Sequence, residues 1–219
     1  MTRGWSAAAG VVLLAVAARA EDDGWETLAA RDLTGWVEEQ HFFFKAKHPG
    51  ASTWSVRDGV IVCDGSLGNC GFLRLDRRLG DFTLRLEYRL AKGCNTGVCF
   101  RSPRPYDGKP DDTLPSRIGH EVQVLDDAGK PATKTSTGAF YGRLAPRSNA
   151  AKPAGEWNTL EIACKGPRIR VTLNGTVVQD VDQTAEEAIR DRPQSGYVLL
   201  QNHGGHSEFR NLRLREEKR

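Results

Sequence analysis

Two hairpin signatures constrain this chain more than any other feature. Thr53-Trp-Ser-Val-Arg57 and Val60-Ile-Val-Cys63 flank Asp58-Gly59, and Arg168-Ile-Arg-Val-Thr-Leu173 and Thr176-Val-Val-Gln-Asp-Val181 flank Asn174-Gly175. Asx-Gly pairs tolerate the left-handed backbone that tight two-residue turns need, so each set reads as strand, turn, strand. The segments Asp81–Leu90, Thr159–Cys164 and Phe209–Arg215 alternate apolar and polar residues in the same way. Side chains two apart on a strand share a face, so each segment presents one face to a core. Only Thr184–Arg190 reads as helical, for about two turns. About a dozen short strands with turns between them predict an all-β, antiparallel sandwich or barrel.

The ends of the chain bound its class. Residues 1–20 carry Arg3, an apolar run from Ala7 to Ala18 and the small-residue pattern Ala18-Arg19-Ala20, which reads as a signal peptide cleaved after Ala20. The apolar run is too short to span a bilayer, and no later stretch reaches that length. The expected product is one secreted or periplasmic domain over residues 21–219, with no linker and no internal repeat. Loss of Arg3 and Arg19 takes the formal net charge from +3 to +1. A balance so near zero argues against nucleic acid or an anionic membrane as the main partner.

Five cysteines in an exported chain permit two disulfides and leave a thiol over. Cys63 and Cys70 flank a Gly/Asn turn, Cys94 and Cys99 lie close in sequence, and Cys164 stands apart; the spacing leaves the connectivity open. No pair has the spacing of a zinc ribbon or finger.

The chemistry concentrates on two segments. In Gly119-His120-Glu121-Val122-Gln123-Val124-Leu125-Asp126-Asp127, Glu121 and Gln123 share one strand face while Val122 and Val124 take the other. From Gly196 an apolar strand ends in Gln201 and His203, two apart, before Gly204-Gly205, which lets a ligand approach closely. A carboxylate, amides and an imidazole on sheet faces suit a polyol. His206, His120, His48 and His41 lack such context and are read as surface residues. Trp25, Trp36, Trp54 and Trp157 are read as core or edge anchors. Three stretches resist the strand pattern: Glu38–Ser52 with Phe42-Phe43-Phe44, Ser102–Ile118, and Asp127–Thr137. Long loops of this kind are often functional, and the last two bracket the Glu121 strand, so both are expected to rim one surface.

An ordered set of segments then carries a family resemblance. Asp32-Leu-Thr-Gly-Trp36, Trp54–Val62, Gly80–Leu84, Asn95-Thr-Gly-Val98 with Phe100-Arg101, Glu121–Asp126, Thr137-Gly-Ala-Phe-Tyr-Gly142, Lys152–Thr159, Leu173-Asn-Gly175 and Phe209-Arg-Asn211 together resemble the 3-keto-disaccharide hydrolase family. The resemblance implies a concanavalin A-like jelly roll of two curved antiparallel sheets, the concave one holding a saccharide. It also implies glycoside cleavage after a separate sugar 3-dehydrogenase has oxidised the substrate at C3. On that chemistry a base removes the C2 proton and the aglycone leaves from C1 by elimination or net hydrolysis. His203 or Glu121 is the candidate base, and Arg101 or a bound divalent cation is the candidate electrophile for the enolate oxygen. Gln123, Gln201, Asn95 and Tyr141 are candidates for holding hydroxyls, and Lys134 for reaching over the sheet.

Two departures stand out. Glucanases of the same jelly roll resemble Glu-X-Asp-X-X-Glu on one strand, whereas here Gln123 replaces the middle acid and Leu125-Asp126 the distal one. The resembled family commonly reads Gln-Asp-His-Gly where this chain has Gln201-Asn202-His203-Gly204, a change that would weaken a metal site or a His-orienting contact if the Asp serves either. Ca²⁺, Zn²⁺ or Mn²⁺ stays open, because no ligand spacing is diagnostic. The alternative reading is a non-catalytic, lectin-like carbohydrate-binding domain.

Overall fold

A computed structural model describes residues 24–29, 31–68, 71–106 and 114–217. The leader read at residues 1–20, Cys70 and the Asp-rich part of the 102–118 stretch lie outside the described residues. The strands are β1 (Glu26–Thr27), β2 (Trp36–Gln40), β3 (Trp54–Arg57), β4 (Val60–Cys63), β5 (Gly71–Leu75), β6 (Phe82–Leu90) and β7 (Asn95–Ser102). They continue as β8 (His120–Leu125), β9 (Asn158–Lys165), β10 (Arg168–Leu173), β11 (Thr176–Asp182), β12 (Tyr197–Asn202) and β13 (Ser207–Glu216). Two short helices, α1 (Phe42–Lys47) and α2 (Pro115–Ile118), interrupt them.

The strands form two antiparallel sheets, as the alternation predicts. The larger runs β11-β10-β9-β6-β13-β4-β3 with β1 added beside β13, and the smaller runs β2-β5-β12-β7-β8. Both Asx-Gly turns are in place: Asp58 and Gly59 have φ of 50° and 75°, and Asn174 and Gly175 have 48° and 78°. Two successive left-handed residues twist the turn in the same sense as the strands, which fixes the registers Arg57↔Val60 and Leu173↔Thr176.

The inner faces of the two sheets meet in one core. Leu84, Leu86, Tyr88 and Phe209 from the large sheet pack with Leu73, Val98, Phe100, Val122, Val124 and Leu200 from the small one. Cutting any of these leucines to alanine would cost about 2–5 kcal/mol. Trp36 and Trp54 belong to this core, while Trp25 and Trp157 lie half-buried under arginines. The outer face of the small sheet carries its own apolar patch of Phe72, Cys99 and Leu199, with Tyr106, Leu114 and Tyr197 packed on it.

Three expectations need correction. Residues 184–190 form successive turns, closed by bonds such as Ala185 N–H to Asp182 O and Ile189 N–H to Glu186 O, with Ile189 in the core. Gln183 is buried and tied to His120 and to the Arg192 carbonyl, so the chain is pinned where an α-helix would start. Second, Cys94, Cys99 and Cys164 are buried free thiols. Cys94 packs into the inter-sheet core and Cys99 into the outer patch, so an odd separation along the strand path sends them to opposite faces. Third, His120 is a core residue: its ring stacks on Phe100 at 4.9 Å and 16°, and burial pushes its pKa down to about 3. Among the described residues no helix is long and apolar enough to cross a membrane.

Candidate functional site

The outer face of the small sheet holds a cavity of about 140 Å³. Its polar lining comes from β7, β8 and β12: Asn95, Glu121, Gln123, Gln201 and, just past β12, His203. Strand alternation puts them there, since Val122 and Val124 take the core side of β8 and Val98 and Leu200 that of the neighbouring strands.

Glu121 is the centre of this arrangement. It is 4% exposed, and burial pushes its pKa up to about 7, against the opposing hydrogen bonds donated by Ser116 and Gln201. Glu121 stands opposite Cys99 in the β7–β8 ladder and Gln123 stands opposite Gly97. Gly97 leaves room for the carboxylate to lie over β7, because a Cβ there would sit 2.4 Å from Glu121 Oε1. The backbone of β8 is paired on its free side as well: Tyr141 N–H donates to Glu121 O at 3.0 Å and Gln123 N–H to Ala139 O at 3.0 Å. That pairing fixes half-exposed Tyr141 at the cavity wall.

A second polar relay orients the imidazole. Gln123 Nε2 donates to Asn95 Oδ1 at 3.0 Å, and Asn95 Nδ2 faces His203 Nδ1 at 3.4 Å. With the Asn95 oxygen occupied, its amide N–H is the donor to Nδ1, so in the neutral ring Nε2 carries the proton.

Of the residues singled out from sequence, Glu121, Gln123, Gln201, Asn95, Tyr141 and His203 come together in this cavity. Arg101 does not. It is fully buried, donates to Gly80 O at 3.3 Å and Gly166 O at 2.8 Å, and pairs with Asp81 at 3.3 Å. The cause is a bulge: β7 and β12 shift register between the Cys99↔Leu199 and Ser102↔Tyr197 pairs, and Arg101 has a φ of 47°. The extra residue turns the guanidinium from the site face toward the end of the large sheet. Lys134 is also outside the cavity lining; its carbonyl accepts from Gly142 N–H at 2.7 Å and so braces the Tyr141 turn. Phe72, Tyr106, Leu114 and Ser116 line the cavity without having been singled out. Three of these four come from the 102–118 stretch, which is expected at the rim by its position alone.

The 3-keto-α-glucoside-1,2-lyase-like domain family matches residues 24–215. The chain belongs to this family. A 3-keto-disaccharide hydrolase of Bacteroides thetaiotaomicron is 26% identical, over 75% of this chain and 70% of the relative. The fold matches a candidate glycosyl hydrolase of Parabacteroides distasonis with a TM-score of 0.71 at 22% identity, covering 89% of this chain and 94% of that one. A non-specific endo-β-1,3(4)-glucanase shares the fold at a TM-score of 0.55 and 12% identity, covering 90% and 92%. The two-sheet sandwich is therefore the glucanase-type, concanavalin A-like jelly roll.

Within the family frame, the Asn202 position is a turn-forming one. Asn202 is buried on the face opposite the cavity, donates to Thr53 Oγ1 at 3.2 Å and accepts from Gly204 N–H at 3.0 Å. Its side chain shapes the turn that carries His203 and does not line the cavity. Among the described residues no three His, Cys, Asp or Glu side chains gather as a metal-binding group. The cavity's own donors are one carboxylate, one imidazole, amides and hydroxyls.

Proposed function

We propose that this protein cleaves glycosides whose sugar carries a ketone at C3, by eliminating the aglycone across C1 and C2. The observation that supports this best is the solitary buried carboxylate of Glu121, with a pKa near 7. Ordinary glycosidases set two carboxyl groups about 5–5.5 Å or 6.5–9.5 Å apart. Among the described lining residues Glu121 is the one acid, with Gln123 beside it on the same strand face. A 3-keto sugar needs only one base, because the ketone acidifies the C2 proton.

Glu121 takes that proton, and the electron pair of the C2–H bond forms the C2=C3 enolate. Gln123, Gln201, Asn95 and Tyr141 supply N–H and O–H groups for the enolate oxygen and the hydroxyls. When the ketone re-forms, the pair becomes the C1=C2 bond and the C1–O bond breaks. The departing oxygen takes from the Glu121 carboxyl the proton that came from C2, while the His203 Nε2–H donates a hydrogen bond to it. Addition of water, hydroxide to C1 and a proton to C2, completes net hydrolysis. Arg101 has no part in these steps. A sugar 3-dehydrogenase supplies the substrate, and the leader at residues 1–20 directs the chain out of the cytoplasm.

Replacing the base tests the reading. Glu121→Gln should lower kcat on a 3-keto-glucoside by about 10²–10⁴-fold, and His203→Ala by a smaller factor. Turnover unchanged in both variants would overturn the assignment. Glycan binding with no release from any substrate would make the domain a lectin-like module.

A further inference from the structure

The Phe42-Phe43-Phe44 run takes no part in the steps above. Only Phe44 is buried; Phe42 is 45% exposed and Phe43 69%. Their helix α1 is short, so it depends on two anchors: Phe44 under it and His41 Nδ1 accepting from Phe43 N–H at 3.3 Å. Two exposed neighbouring phenylalanines form an apolar surface that a chain does not gain stability by displaying.

That surface is continuous with the cavity. Phe72 and Tyr106 line it, with ring centroids 6.2 Å apart. Tyr106 meets His41 edge-on at 5.3 Å, His41 meets Phe42 at 4.4 Å, and Phe42 meets Phe43 at 4.0 Å. The cavity, at about 140 Å³, is well below the roughly 300–1,000 Å³ that encloses a drug-sized ligand. A sugar ring at Glu121 therefore leaves its C1 substituent outside, on the rim. Phe72, Phe42 and Phe43, three of the five rings in the strip, carry no hydrogen-bonding group for the hydroxyls of a second sugar, and the His41 Nδ1 is already engaged.

We infer that this aromatic strip is the aglycone subsite and that it selects glycosides with flat, apolar aglycones. This rests on the reading of the cavity as the site of 3-keto-glycoside cleavage. The aglycone stacks on Phe42 and Phe43 while the oxidised ring sits over Glu121, and it leaves toward solvent once C1–O breaks.

The test compares phenyl and methyl 3-keto-glucosides on the full chain and on a Phe42→Ala/Phe43→Ala variant. Both side chains are exposed, so the variant should fold like the parent. The expected result is a KM for the phenyl substrate raised about tenfold, with kcat and the methyl substrate unchanged. Calorimetric binding of unoxidised phenyl and methyl glucosides, measured in parallel, needs no turnover. If neither keto substrate is cleaved but the phenyl preference in binding disappears in the variant, the cleavage reading fails and the subsite stands. Equal affinity of the wild-type chain for phenyl and methyl ligands, or a variant indistinguishable from it, would overturn the subsite. So would a concentration-dependent dimer that the double substitution abolishes, since the rings would then serve a second copy of the chain.

Discussion

Gly97 has no side chain, and the Glu121 carboxylate fills the space one would take. Gly97→Ala should therefore push the carboxylate off Gln201 and Ser116 with little change to the ladder around it. Misplacing a catalytic group by about 1 Å costs on the order of 10²-fold, so kcat should fall that far while the melting temperature moves little. The pKa of Glu121 adds a pH signature. As the proposed base it works deprotonated, so kcat/KM should rise as pH increases through about 7 and flatten above. Stability runs the other way. The carboxyl goes from its ordinary 4.5 to about 7 on folding, so its contribution is fully present below about 4.5 and is lost as pH rises through about 7. Glu121→Gln carries no such charge, and its melting temperature should exceed that of the wild type at pH 8 by more than at pH 5. A pH-independent difference between the two melts would show that the carboxyl is not held neutral by burial.

At the scale of strands and turns, what the sequence shows is what period and turn chemistry can encode. Clean alternation in β6 and β9 and the two Asx-Gly turns locate these strands and their registers, whereas the alternation of β13 is interrupted by a bulge between Arg210 and Arg213. The bulge in β7 leaves no such mark: Asn95-Thr-Gly-Val-Cys-Phe-Arg101 reads as continuous alternation, and one inserted residue carries Arg101 away from the site. Arg101→Ala would take the fully buried guanidinium away from partly buried Asp81 and from the Gly80 and Gly166 carbonyls at the end of the large sheet. It should cost about 3–5 kcal/mol in denaturant unfolding, with kcat of the folded fraction near that of the wild type. A loss of kcat without loss of stability would return Arg101 to the chemistry. Phe72 escapes notice for a related reason: all five residues of β5 are buried, and Arg74, which shares its face, is drawn off to Glu39 and Asp76. Ser116 and Leu114 sit at a four-residue helix whose sequence cue is the single Pro115. The turns at 184–190 mislead in the opposite direction, since good helix formers there are overruled by the pinned Gln183 and the buried Ile189.

Across the whole molecule, the two sheets use their outer faces differently. The large sheet turns its outer face to solvent with ion pairs such as Arg85–Glu161, Arg89–Glu208 and Arg210–Glu87, while the small sheet buries polar groups around a cavity. The sandwich and Glu121, Gln123, Gln201 and His203 were readable because they follow from which face a side chain takes, while Asn95 and Tyr141 were reached through the family resemblance. The cysteine pairing was not, because spacing carries no information about which side of the sheet a thiol faces. The central claim is that one carboxylate suffices because the substrate brings its own activation. The most direct measurement is aglycone release from a 3-keto-glucoside and from its unoxidised parent by the same preparation, with Glu121→Gln alongside. Release from the keto form alone, lost in the variant, is the predicted result. Equal release from the unoxidised parent, or release that survives the loss of Glu121, would contradict it.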